Sequence, residues 1–126
     1  MKDILDKLNG KNALVVDDEE LIREIFLREL EDLGVNVDEA ENGNSAFEKI
    51  KVKEYDFVIS DVRMPGGSGK DLLENISKSG KDLFIVMVTG FSDLSDEEAK
   101  KLGAKRIFEK PFKIDDIFEF IAENIQ

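Results

Sequence analysis

The residues of this chain best suited to chemistry stand where apolar runs stop. Asp17 and Asp18 close the run "NALVVDD", Asp61 follows "DFVIS", Thr89 lies near the end of "LFIVMVTG", and Lys110 precedes Pro111 in "KRIFEKPF". Any one of them is an ordinary strand-end residue, because Asp and Pro serve turns and Thr is common in strands. Together they are three carboxylates, a hydroxyl and an ammonium, and that set has a chemistry. Carboxylates gathered in a partly desolvated site repel one another, so a cation must offset their charge. Oxygen ligands with room for water suit Mg2+. Zinc would require nitrogen or sulfur donors, and the chain has neither His nor Cys. One carboxylate in such a site can act as a nucleophile and carry a phosphoryl group as an aspartyl phosphate. Lysine and hydroxyl donors can then neutralise the phosphoryl oxygens, roles open to Lys110 and Thr89.

The elements that must bring these residues together alternate along the whole chain. After "NALVVDD" comes a helix with Leu21, Ile22, Ile25, Phe26, Leu30 and Leu33 on one face, ended by Gly34. "VNVDEA" alternates in the manner of a half-exposed edge strand, and "NGNSAFEKIK" opens as a turn and continues as a helix carrying Ala46, Phe47 and Ile50. "DFVIS" is a strand, and "KDLLENISKS" a helix. "LFIVMVTG" is the most continuously apolar run and is expected at the centre of the sheet. "SDEEAKKLG" carries a Ser95–Glu98 capping pair, "KRIFEKPF" is a fifth strand, and "KIDDIFEFIAENI" turns Ile114, Ile117, Phe118, Ile121 and Ile125 inward. Strands alternating with helices predict an α/β protein with a parallel sheet and, through right-handed crossovers, helices on both faces. In such sheets ligands bind at the C-terminal strand ends, near the point where strand order reverses. That is where the carboxylates, the threonine and the lysine stand.

Composition narrows the possibilities. A chain of 126 residues, 41% hydrophobic and 37% charged, fits one domain with one real core. No apolar stretch approaches the ~20 residues of a membrane span, and "MKDILDKLNG" lacks the apolar centre of a secretory signal, so the cytoplasm is the expected location. A formal net charge of −11 opposes direct binding to nucleic acid or to an anionic membrane. Without histidine or cysteine the chain can use no histidine base, phosphohistidine or disulfide of its own.

From about Asn12 to the C-terminus the chain resembles the response-regulator receiver domains of two-component signalling, single-domain and similar to the chemotaxis regulators. The pieces that carry the resemblance are "VVDDEE", "FVISDVRMPGGSG", "IVMVTG" and "EKPF", in order and at the usual separations. It implies a flavodoxin-like (βα)5 sandwich with strand order 2-1-3-4-5, the order of the chemotaxis regulator that serves as a standard example of this fold. It implies that Asp61 accepts a phosphoryl group from the phosphohistidine of a sensor histidine kinase or phosphotransfer protein. Asp18, Asp61 and the Arg63 backbone carbonyl would hold Mg2+, with Asp17 acting through water. Thr89 and Lys110 would bind the phosphoryl oxygens, and the Lys110–Pro111 bond would be cis.

The same comparison shows departures. Gly67 and Lys70 stand where such domains usually have apolar residues, which predicts a more mobile, less anchored loop after Asp61. The aromatic residue usual three positions before the site lysine is Ile107 here. Phe108 follows it and, by strand alternation, should point to the other face. The segment from Thr89 to Lys110 is also shorter than usual, and a standard receiver dimer on that face is not expected. Arg63 and Phe91 flank the phosphate position, and a bulky Phe91 is expected to shield the acyl phosphate from water.

Residues 1–10 form a leader with Ile4, Leu5 and Leu8 on one helical face, either packing on Phe120 or fraying; residues 11–126 form the receiver domain. Output would come through contact with a further protein or onward phosphotransfer, and the Met1 start favours a stand-alone chain or an N-terminal domain. The alternatives are a receiver cut from a larger hybrid kinase or regulator, and a phosphatase working through an aspartyl phosphate. The latter generally has a second Asp where Arg63 stands. A flavin carrier of the same topology would want a Ser/Thr/Gly loop where "DDEE" stands.

Overall fold

The computed structural model describes residues 2–90 and 94–125. Five strands, β1 (Asn12–Val16), β2 (Asn36–Ala40), β3 (Phe57–Asp61), β4 (Phe84–Thr89) and β5 (Arg106–Glu109), form one parallel sheet in the order β2-β1-β3-β4-β5. Between and around them run α1 (Lys2–Leu8), α2 (Glu20–Asp32), α3 (Gly43–Val52), α4 (Gly69–Ser79), α5 (Asp96–Lys101) and α6 (Ile114–Asn124). This is the flavodoxin-like three-layer sandwich. The chain starts in the second strand position and winds outward both ways, so the reversal of order falls between β1 and β3.

Two apolar cores separate the layers. Leu14, Val58, Ile85 and Ile107 of the sheet meet Ala46 and Ile50 of α3, Leu72, Leu73 and Ile76 of α4, and Ala99 of α5. Val15, Phe57, Val86 and Phe108 meet Phe26 and Leu30 of α2 and Ile117, Phe118 and Ile121 of α6 on the opposite face. Successive strand residues therefore serve different cores, as the pleat requires. β3 is buried along its whole length and occupies the middle of the sheet. β4, expected there, lies one place over. An interior strand covered on both faces reads as continuously apolar in either position.

α1 belongs to the second core. Ile4 is 7% exposed and Leu8 fully buried, whereas Leu5 points outward, and the helix lies against α6. A seven-residue helix has little stability alone, so these two side chains hold it in place. The ring of Phe120, a suggested partner for the leader, meets Phe84 and Phe108 at 6.1 and 5.9 Å.

The helix stripe read along α2 is narrower than expected. Phe26 and Leu30 are buried and Ile22 and Leu33 half-buried, but Leu21 and Ile25 are 74% and 53% exposed. One turn apart, they form an apolar stripe on the first half of the helix, next to Asp18. The caps are as the sequence indicates: Ser95 accepts from the Glu98 N–H at 3.1 Å, and Gly34 takes a left-handed conformation after α2. Among the described residues no helix is long and apolar enough to cross a membrane.

Candidate functional site

β1 and β3 run side by side, Val16 opposite Ser60, so the residues after them emerge together at the reversal of strand order. One carboxylate oxygen each of Asp17, Asp18 and Asp61 lies within 4.8 Å of the others. Asp17 is 2% and Asp61 9% exposed, whereas Asp18 faces solvent. Asp18, Asp61, Arg63, Met64, Ser68, Gly90 and Lys110 line one open cavity. Thr89 is buried at the end of β4, and its carbonyl accepts the Lys110 N–H at 2.7 Å, tying the threonine and lysine segments together. The Lys110–Pro111 bond is cis. The structure thus brings five of the predicted residues to one end of the sheet, Asp17 and Thr89 beneath the surface and Asp18, Asp61 and Lys110 around the cavity.

The carboxylates are held under electrostatic tension. Burial pushes Asp17 up to about 6; its bond from the Glu19 N–H opposes this, and the charges of Asp61 and Asp18 add to it. Asp61 is raised in the same sense by burial, against the Val62 N–H, which donates to it at 2.8 Å, and the charge of Lys110. Asp17 Oδ1 accepts the Glu19 N–H at 2.8 Å, so Asp17 also serves the start of α2. Its second oxygen, Oδ2, is buried without a hydrogen-bond partner. An ionised oxygen in that state is expensive unless a cation or water meets it. Three carboxylates, an orphaned oxygen and all-oxygen donors fit a hard divalent cation such as Mg2+.

The loop after β3, expected from its residue types to be less anchored, is held to the start of α3 by backbone against backbone. The Gly43 N–H at the start of α3 donates to the Gly67 carbonyl at 2.7 Å. A Cβ on Gly43 would stand 2.7 Å from the Ser68 carbonyl oxygen, and one on Gly67, whose φ is +120°, 2.9 Å from the Asn44 nitrogen. Only glycine permits this approach. Met64 is buried and helps close the turn.

Ile107 and Phe108 fall in different cores, as strand alternation predicts. The Arg106 guanidinium lies 4.2 Å from the centre of the Phe108 ring. The Ile107 N–H is taken by Asp96 Oδ1 at 3.0 Å, which joins α5 to the edge strand. Phe91 lies outside the described residues. Arg23 and Glu39 were not evident from the sequence: Arg23 reaches the Asp17 carbonyl at 2.7 Å and Glu39 at 2.8 Å. Their only signal was an arginine one turn into the helix that follows the acidic pair.

The acidic cluster and the lysine stand together at the C-terminal edge of a flavodoxin-like sheet. The family model described as the response regulator receiver domain matches residues 13–122, and the chain belongs to that family. It is 37% identical to the chemotaxis protein CheY-3 of Vibrio cholerae over 94% of this chain and 98% of that protein. It is 30% identical to the sporulation initiation phosphotransferase F of Bacillus subtilis over 90% and 93%. The structure of the response regulator TrrA from Thermotoga maritima in complex with Mg2+ and BeF superposes with a TM-score of 0.80 at 37% identity, covering 90% of this chain and 97% of that one. The protein is therefore a receiver domain of the two-component and phosphorelay systems.

Proposed function

We propose that the protein is a phosphorylatable switch whose phosphoacceptor is Asp61. The observation that carries this reading is the meeting of Asp17, Asp18 and Asp61 within 4.8 Å, with the Lys110 ammonium on the same cavity. A partner's phosphohistidine would enter that cavity with its phosphorus facing an Asp61 oxygen. The P–N bond breaks as the P–O bond to Asp61 forms, and the released imidazole takes a proton from solvent. Lys110 and Thr89 would bear on the phosphoryl oxygens. Asp18, Asp61 and the Arg63 carbonyl would hold Mg2+, with Asp17 acting through water. When bound, the ion supplies the charge neutralisation that three crowded carboxylates require. The chain promotes its own phosphorylation and slow dephosphorylation and is not a conventional enzyme.

The donor is a sensor histidine kinase or phosphotransfer protein of the cytoplasm. Leu21 and Ile25, exposed beside Asp18, give it an apolar place to dock. Output passes to a downstream protein or onward by phosphotransfer, without direct contact to nucleic acid or membrane and without the standard receiver dimer. Phe91 slows loss of the phosphoryl group, and the positions of Ile107 and Phe108 leave out the usual aromatic switch. The experiment is incubation with Mg2+ and acetyl phosphate, followed by mass spectrometry and size-exclusion chromatography. The wild type should gain one phosphoryl group and remain monomeric, and Asp61→Asn should gain none. An Asp61→Asn variant that is phosphorylated like the wild type refutes the assignment.

A further inference from the structure

We propose that Arg23, braced by Glu39, is a positioning residue for the acidic lobe of the site and sets its affinity for divalent cation. The proposal rests on the Mg2+ reading above. The Asp17 N–H donates to the Ala40 carbonyl at 3.1 Å, and its Oδ1 accepts the Glu19 N–H at 2.8 Å. Oδ2 is the orphan at the carboxylate cluster. The remaining atom, the carbonyl oxygen, accepts from Arg23 Nη1 at 2.7 Å. Of these three contacts it is the one made by a side chain, and a charged one. Charge-assisted hydrogen bonds are about twice as strong as neutral ones.

That carbonyl belongs to the peptide joining Asp17 to Asp18. Holding its plane constrains the backbone from which both carboxylates project. β1 ends at Val16, and the last bond toward β2, from the Asp17 N–H to Ala40, holds the peptide before this one, whereas Arg23 holds this one. Arg23 itself is held from the other side. Its Nε donates to Glu39 Oε1 at 2.8 Å, and its side chain is only 13% exposed. Glu39 lies on β2 opposite Val15, and the Lys49 ammonium donates to its backbone carbonyl. The planar guanidinium thus spans the start of α2, the edge strand and the β1–α2 connection, and braces the connection that carries two of the three carboxylates. A lysine is a point donor and cannot make both contacts in this fork.

An ordinary surface ion pair would contribute a little stability and nothing else. A positioning residue affects metal affinity beyond its effect on stability. Removing groups that orient metal ligands typically lowers metal affinity about 10–100-fold. The test is calorimetric titration of MgCl2 into the full chain, without phosphoryl donor, for wild type, Arg23→Met, Arg23→Lys and Glu39→Gln. Melting curves in EDTA run alongside. Arg23→Met should weaken Mg2+ binding about tenfold or more, Arg23→Lys should recover part of the loss, and Glu39→Gln should show a smaller loss. Melting temperatures in EDTA should not follow that ranking. Should Arg23→Met fail to fold, Arg23→Lys and Glu39→Gln carry the comparison. Affinities within twofold of wild type in every folded variant overturn the proposal, and so do losses that track melting temperature with no recovery in Arg23→Lys. A wild type that binds no Mg2+ overturns the metal reading beneath it.

Discussion

Replacing Asp17 with asparagine should stabilise the metal-free protein, although it removes a carboxylate from the acidic cluster. Asp17 is 2% exposed, its Oδ2 has no partner, and its carboxyl is pushed up to about 6 from 3.8. The folded state therefore binds this proton more tightly than the unfolded chain does. Wild-type stability from this group is fully present below about pH 4 and is lost as pH rises through about 6. Two units at 1.36 kcal/mol each set a ceiling of about 3 kcal/mol at pH 7.5, and solvent screening across the open cavity reduces it to about 1–2 kcal/mol. Asparagine keeps an oxygen for the Glu19 N–H and puts an amide where the repelled oxygen stood. In EDTA at pH 7.5 the variant should melt about 3–8 °C higher than wild type, with the difference vanishing near pH 4. Adding Mg2+ should narrow the gap, since the protein that binds the ion more tightly gains more stability from it. Circular dichroism melts across pH provide the measurement. A variant no more stable than wild type at pH 7.5 in EDTA refutes the reasoning.

Two further outcomes follow from the packing. Leu8→Ala empties a fully buried position beneath α6 and should cost about 2–4 kcal/mol, read as a lower urea midpoint with an unchanged slope; a loss under about 0.5 kcal/mol would mean that α1 is not part of the core. Ile25→Glu should sharply slow phosphotransfer from a histidine kinase and leave acetyl-phosphate labelling unchanged, because Ile25 lies on the exposed stripe of α2 and outside the cavity; equal slowing with both donors would place the defect in the site itself.

Much of the site was legible because each of its residues interrupts an apolar run. Asp17, Asp18, Asp61, Thr89 and Lys110 needed only the rule that parallel strands deliver their C-terminal ends to one edge. The remainder was hidden for separate physical reasons. Leu21 and Ile25 fit the helical period, but the buried stripe of a surface helix is narrow, and spacing does not show where its border falls. Arg23 looked like any charge on a surface helix until the fold placed Glu39 beside it. The glycines after Asp61 suggested mobility from residue type alone, whereas the contact they make depends on a distant turn. α1 was ambiguous because a short helix takes its stability from what it touches.

The backbone contact between Gly43 and Gly67 also sets how this protein can change over generations. A contact made by side chains can be exchanged for another pair of similar volume, one substitution at a time. Here each partner is already the smallest residue, and a single added methyl group meets backbone atoms at 2.7 and 2.9 Å. No compensating neighbour can relieve a clash with a main chain. The loop that carries Arg63 away from Asp61 is therefore free to vary in the chemistry of its exposed residues, but its path is fixed by two positions that have no substitute.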